Sequence, residues 1–430
     1  MEETSVFLVC LTASSGVPLY CRSKGSSRQL TFSVIGSLNG VHMFANNQDV
    51  LLMSTRTENS RVVWRTFHDS INLIVMSCEN TASDFSLNKL LENVFSAMVL
   101  VIGLDDLVNI KNVERLKKEL RACYKLIDSF LTESEKMADL TQCVDCIIAH
   151  DVAILQECLD GFTQAAESEF GCLMAGGKVV AATEKWWRLA SQDVMLLCWL
   201  VASLSPHSSR DYPVYLPQGS PTVPHRLLTF QLVPGVDVCV LCGPSPSLQK
   251  VESELVERFW KPVVDPLKSC LRVQLRSFPA SVPLHHGIVG LLLVNRDLNK
   301  RLYSVQVHPM EEMERTELKF TLEQRRAALR SFCTLALSRY FNPDSVDGKN
   351  TPYEERFASG FSHHAHQCYT VSSSHKCYAV KTELHLLFLV FQPEVPTFSM
   401  QTIASKTLQQ ISLSVSLKST TIGLAPARNC

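Results

Sequence analysis

Three runs, INLIVMS from Ile71, VDVCVLC from Val236 and HLLFLVF from His385, read as comparable strands rich in apolar and β-branched residues, and they recur at intervals of roughly 150 to 165 residues. That interval is the length of one domain, so the 430 residues are expected to form three similar modules rather than one large core.

The surroundings of each run repeat as well. In the first module TSVFLVCLTA and VPLYCRS flank Ser14-Ser15-Gly16, where Gly16 supplies the backbone angles of a tight hairpin turn and Pro18 takes a position that donates no ladder bond. A helix is predicted from Leu30 to Ala45, then strands at Asp49–Asn59, RVVWRTFHD and INLIVMSCEN. Two helices close the module, with Leu91, Val94, Phe95, Met98 and Ile102 on one stripe of the first, and Val113, Leu116, Leu120, Cys123, Ile127 and Phe130 on one stripe of the second.

The second pass reads as a hairpin around Gly176-Gly177, the helix QDVMLLCWLVASL, strands at DYPVYLP, HRLLTFQLV and VDVCVLCG, and the helix LQKVESELVERFWKPVV. The third reads HGIVGLLLVN, RLYSVQV, the helix LEQRRAALRSFCTLALSRYF, strands CYTVSSS, KCYAVKT and ELHLLFLVF, and the helix MQTIASKTLQQISLS. Hairpins with segregated helices define an α+β class, each module a mostly antiparallel five-stranded sheet flanked by helices, with boundaries at 1–140, 141–280 and 281–430. Five prolines between Pro206 and Arg226 confine that strand to a sheet edge, and Phe341 to Gln367 reads as a loop.

Composition narrows the function. Hydrophobic residues make up 46% of the chain and charged ones 19%, enough apolar material for three cores. A net charge of -1 supplies no bulk attraction to nucleic acid. The acidic start MEETSVFLVCL lacks the positive charge of a signal peptide, and runs such as VMLLCWLVASL are too short to span a bilayer, so a soluble intracellular protein is expected. The 16 cysteines sit largely within apolar runs and read as buried thiols in a reducing compartment.

Candidate chemistry is thin. GCLMAGGKV, from Gly171, has a second glycine where a phosphate loop needs lysine, and Val179 follows Lys178 where a hydroxyl is required, so a hairpin turn is the better reading. Cys143-x-x-Cys146 and Cys239-x-x-Cys242 have zinc-like spacing, but residues three apart on a strand face opposite sides. His363, His364, His366 and Cys368 lie in the predicted loop, and His68-Asp69 lacks a nucleophile to serve. Solvated or structural roles are preferred for all of these. No catalytic, cofactor or metal residues are assigned, and no cofactor is expected.

The informative surface is the helix from Leu30 to Ala45. From Gln29 to Gln48 there is no Asp, Glu, Lys or Arg. Leu30, Val34, Leu38 and Val41 form one stripe, while Phe32, Ile35 and Met43 lie well round from it. A helix apolar on more than one side is covered on more than one side. Its own sheet covers one, and two readings stand for the other: a second protein, or neighbouring elements of the same module. Phe32, Ile35 and Met43, with Leu51 and Met53 in the strand that follows, are the candidate partner interface, and that strand lacks the prolines that block its counterpart. The third module's helix carries Arg325, Arg326 and Arg330, a candidate face for an anionic membrane, against which stands a plainly solvated face.

At SSGVPLYCR, FSVIGSLNGVHMF, FHDSI, NVERLKK, LTQCVDC, RDYPVYLP and GSPTVPHRLLT the sequence resembles the Fuzzy family of planar cell polarity effectors, through both first modules with few gaps and more loosely after Val282. The resemblance implies three tandem longin domains. It also implies pairing with Inturned, assembly with the propeller protein Fritz at the base of the cilium, and likeness to two-subunit tri-longin exchange factors for Rab-family GTPases. Ciliogenesis, planar polarity, Hedgehog signalling and intraflagellar transport follow as expected roles, and the cytoplasm, the cytoskeleton and the basal body as expected places. It supplies no catalytic residues. The rival expectations are a membrane coat or adaptor subunit without exchange activity, and an enzyme built on the thiols or the histidine cluster.

Overall fold

The hairpin at the start of the chain is built as its residues require. Strand β1 (Val6–Thr12) is buried throughout and lies inside a sheet, while β2 (Pro18–Lys24) carries Pro18 and the charged Arg22 and Lys24 at the edge. In this computed structural model, which describes residues 6–25, 30–78, 82–132, 138–205, 208–308, 320–341 and 365–419, the first sheet continues through helix α1 (Phe32–Asn47) to β3 (Ser54–Arg56), β4 (Arg61–Phe67) and β5 (Ile71–Ser77). Its order is β2-β1-β5-β4-β3, with β1 antiparallel to β5 from Val6 opposite Ser77 to Thr12 opposite Ile71. The strand predicted over Asp49–Asn59 is much shorter, because polar Thr57 to Ser60 turn the chain through a Thr57 N–H to Ser60 C=O bond of 2.8 Å.

Helices α2 (Asp84–Ile102), α3 (Val113–Glu119) and α4 (Tyr124–Thr132) follow. Ser83 and Ser86 close a reciprocal cap on α2, each side chain accepting from the other's backbone N–H at 3.1 Å. By length and composition α2 suffices to cross a membrane, but 72% of its apolar window is buried within the chain, as in a core helix. The predicted single helix through Phe130 is broken, since Leu120–Cys123 tightens to a 3₁₀ turn between α3 and α4.

The second sheet has the order β8-β7-β11-β10-β9, from β7 (Phe170–Ala175), β8 (Lys178–Ala182), β9 (Ser209–Leu216), β10 (Ser220–Val233) and β11 (Val236–Cys242). The proline-bearing β9 is its edge, as the sequence dictates. Gly176 and Gly177 turn the β7–β8 hairpin with φ of +55° and +77°. Helix α5 (Val152–Ala165) precedes this sheet and α6 (Ser191–Ser203) lies between β8 and β9. The helix predicted through Val264 is discontinuous: a π turn at Val251–Val256 and a 3₁₀ turn at Lys261–Val263, which contains Pro262, precede α7 (Val264–Val273).

The third sheet has six strands rather than the five expected. Its order is β14-β15-β16-β12-β13-β6, from β12 (Ile288–Asn295), β13 (Lys300–Ser304), β14 (Gln367–Val371), β15 (Lys376–Lys381) and β16 (His385–Phe391), with α8 (Leu322–Arg339) and α9 (Met400–Ser419). The extra strand, β6 (Val144–Asp145), lies within the residues assigned to the second module and pairs in parallel with β13. Arg301 on β13 is fully buried, and its guanidinium donates to both carboxylate oxygens of Asp145 at 2.8 and 2.6 Å, so charge and register fix the strand together.

By contacts the chain divides into two compact units: the described residues within Met1–Gln142, Trp187–Thr229 and Leu241–Ser245, and those within Cys143–Trp186, Phe230–Val240 and Pro246–Cys430. In the first, α2 packs against β4 and β5 of its own sheet and also against β9 and α6. Gly103 ends α2 with φ +94°, and a Cβ there would stand 2.8 Å from the Tyr215 ring. In the second unit Lys178 Nζ donates to the Gln274 carbonyl at 2.9 Å and to Ser277 Oγ at 2.6 Å.

Candidate partner surface

Helix α1 starts at Thr31, whose hydroxyl accepts from the Val34 N–H. Its inner line is short. Ile35 enters the cluster of Val9, Leu11, Val62, Trp64 and Ile74, with Leu30 and Leu38 half-buried beside it. Trp64 Nε1 donates to the Leu38 carbonyl at 3.2 Å, and His42 Nδ1 lies 3.3 Å from Asn72 Nδ2. The β1–β2 turn braces the middle of the helix: Gly16, at φ +66°, leaves room where a Cβ would fall 2.1 Å from Asn39 Nδ2. Burial holds the His42 imidazole below its ordinary pKa, favouring the neutral ring.

The outer side carries exposed apolar side chains interspersed with Ser33, Gly36, Ser37 and Gly40. Phe32 is 78% exposed and Phe44 68%, with Val34, Val41 and Met43 between them, and Val50 and the 67% exposed Leu51 just beyond. The run continues into β3, the edge of its sheet. Met53 is half-buried, its carbonyl accepting from the Trp64 N–H at 2.9 Å.

Of the residues expected at this interface, Phe32, Met43 and Leu51 face solvent, Met53 is tied to β4, and Ile35 is corrected to the core. The geometry of the first sheet decides this: the helix rests on it along Ile35, Leu38 and His42, which splits the sequence stripe and turns Val34 and Val41 outward. Phe44 and Val50 were not singled out from the sequence. The signal for Phe44 was there, in an uncharged segment longer than one buried stripe can use, whereas Val50 lies beyond that segment, after Asp49.

The arginine face of α8 is also corrected. Arg325 is 3% exposed, and its guanidinium donates to the carbonyls of Phe320 at 2.9 Å and Val305 at 3.2 Å. Those carbonyls engage two of the guanidinium's five N–H donors, and burial still lowers its pKa. Arg326 is exposed and Arg330 half-buried, so the three do not share one solvent-facing surface.

Other chemistry-bearing residues take structural places. His68 and Asp69 both have positive φ and form the tight β4–β5 turn, where the His68 ring leans on Phe95 at 5.5 Å. This turn borders a cleft of about 450 Å³ whose Arg65 and Glu92 pair with each other at 2.6 Å. Lys178 points at backbone and hydroxyl oxygens, as above. Cys143, Cys239 and Cys242 are buried and Cys146 is half-buried. Burial pushes the Cys123 and Cys377 thiols up to about 12, away from the thiolate that catalysis or metal binding needs. His363 and His364 lie outside the described residues, and among the described residues no three His, Cys, Asp or Glu side chains come together as a metal site.

Comparison with known proteins agrees with this architecture. Models of the first, second and third longin domains of FUZ, MON1 and HPS1 match residues 6–130, 166–261 and 287–414. Fold and matches together define the class as a protein of three tandem longin domains. Among curated relatives, the "Protein fuzzy homolog" of Xenopus tropicalis is 82% identical over 409 residues, covering 95% of this chain and 98% of the relative. Those of Homo sapiens and Mus musculus are 49% and 48% identical, covering 95% and 94% of this chain and 97% of each relative. The chain belongs to the Fuzzy family.

Proposed function

We propose that the chain is a non-catalytic subunit that joins Inturned through the outer side of α1 and the adjoining β3 edge. The resulting pair, with Fritz, acts as a platform for a Rab-family GTPase at the base of the cilium, in ciliogenesis, planar cell polarity and Hedgehog signalling. The observation that carries this reading is the uncharged α1 with Phe32, Val41, Met43 and Phe44 turned to solvent. A domain that exposes several large apolar side chains along one helix gains by covering them, and Phe32 and Phe44, about 18 Å apart along the helix, have the character of interface anchors. Nucleotide exchange needs no bond-forming residue here. A surface that binds the nucleotide-free GTPase more tightly than the loaded one lowers the barrier to release. The membrane-adaptor reading has lost one of its three arginines to the interior.

The test is co-purification of the full chain with Inturned. Phe32→Glu combined with Phe44→Glu is expected to weaken the one-to-one complex at least about 100-fold while leaving the unfolding midpoint within a degree or two. Undiminished pairing by this variant contradicts the assignment of the surface.

A further inference from the structure

The six strands at sheet edges differ in how they are protected. Edge β2 carries Pro18, Arg22 and Lys24, β3 has three residues and ends on Arg56, and β9 carries Arg210, Asp211 and Pro213. Val179 of β8 bridges to Cys146, and β6 has two residues with Asp145 held by Arg301. Charge, proline, brevity or a covering strand blunts β2, β6, β8 and β9 against foreign strands, and β3 belongs to the partner surface proposed above. Strand β14, Gln-Cys-Tyr-Thr-Val, has no charge and no proline, and β15 pairs with one side of it.

The hydrogen-bond parity of this edge is fixed at both ends. Ser372 N–H donates to the His375 carbonyl at 3.0 Å, and Lys381 N–H donates to the His366 carbonyl at 2.7 Å. With Cys368 opposite Ala379 and Thr370 opposite Cys377, the even-numbered residues face β15. The N–H and C=O groups of Gln367, Tyr369 and Val371 therefore point off the sheet. Their side chains share the face on which Tyr369, Tyr378, Leu389 and Leu291 form a cross-strand row. The last three are in the core, whereas Tyr369 is 59% and Val371 55% exposed.

We infer that β14 is a docking edge for an extended, uncharged segment of a partner polypeptide, which adds as a further antiparallel strand and sets an apolar side chain beside Tyr369. Three outward residues supply up to six main-chain hydrogen bonds, and the interrupted row supplies one side-chain site. The five residues of the edge set the length of extended segment that can pair along it.

The probe is a labelled nine-residue peptide copying residues 365–373, with serine replacing its cysteine. Laid antiparallel about Tyr369, its own outward groups match those of the edge, and its binding to the full chain is read by fluorescence anisotropy. Saturable binding is expected, insensitive to salt because no ion pairs form. Tyr369→Pro removes an outward N–H without touching a β14–β15 bond, and Val371→Lys places a charge at the edge. Each is expected to weaken binding at least tenfold with the thermal midpoint unchanged. No saturable binding at millimolar peptide, or equal binding by both variants, overturns the proposal. So does a concentration-dependent doubling of the mass of the chain that Tyr369→Pro abolishes, because a second copy would then own the edge.

Discussion

Helices α1 and α6 occupy the same place in consecutive modules, each following the first hairpin of its sheet, and both are short of charge. Their surroundings are opposite. α6 is buried from Asp193 through Cys198 and again at Leu200 and Val201. Its Trp199 meets Phe130 of α4 with ring centroids 4.6 Å apart, and Gln192 donates to Ser96 of α2 at 2.9 Å. The Asp193 carboxylate accepts from the N–H groups of Gln218 and Gly219 at 3.0 and 2.9 Å. In α1 only Ile35 and His42 are buried. One apolar helix is covered by its own chain, and its counterpart is left open. Composition alone does not separate them; the neighbours each fold supplies do.

The comparison breaks first if truncations in the two helices cost the same. Leu196→Ala in α6 is expected to destabilise the protein by about 2 to 5 kcal/mol, whereas Val41→Ala in α1 should cost less than about 0.5 kcal/mol, both read from urea midpoints. Equal losses would mean that α1 is as enclosed as α6.

A smaller effect sharpens the split within α1 itself. Ile35→Ala should cost about 2 kcal/mol, because its side chain enters the core, while Phe44→Ala leaves stability unchanged and weakens only partner binding. The separation of the two readouts along one helix is the measurement that matters.

The smallest effect is a pH dependence. Burial lowers the His42 pKa from the ordinary 6.5, so the unfolded chain takes up a proton before the folded one does. The contribution is complete above pH 6.5 and is lost as pH falls below it, until the folded-state ring is also protonated. Asn72 of β5, 3.3 Å from the ring, is neutral and brings no charge to offset the burial. His42→Gln should flatten part of the acid-side slope of unfolding free energy, whereas α6 contains no histidine and its Asp193, whose pKa burial raises, contributes a slope of the opposite sign.

The module order was legible because β5, β11 and β16 are apolar runs bounded by turn residues, and because Gly16 and Gly176-Gly177 mark hairpins by their need for positive φ. That α1 is a helix was legible too. Its orientation was not, because a helix without charge has no polar side to mark the outward direction, and so Ile35 and Val41 exchanged places. Nor could local pattern reveal β6, whose partner on β13 lies more than 150 residues away. Arg325 looked like a surface cation because the carbonyls that receive it come from Val305 and Phe320, outside its own helix.

The most direct test of the account is amide hydrogen exchange over α1, measured on the full chain alone and in the proposed one-to-one complex with Inturned. The account predicts that exchange over Phe32–Asn47 slows strongly in the complex, while exchange over Ser191–Ser203, already enclosed, stays the same. Unchanged exchange over Phe32–Asn47 in a saturated complex would contradict it.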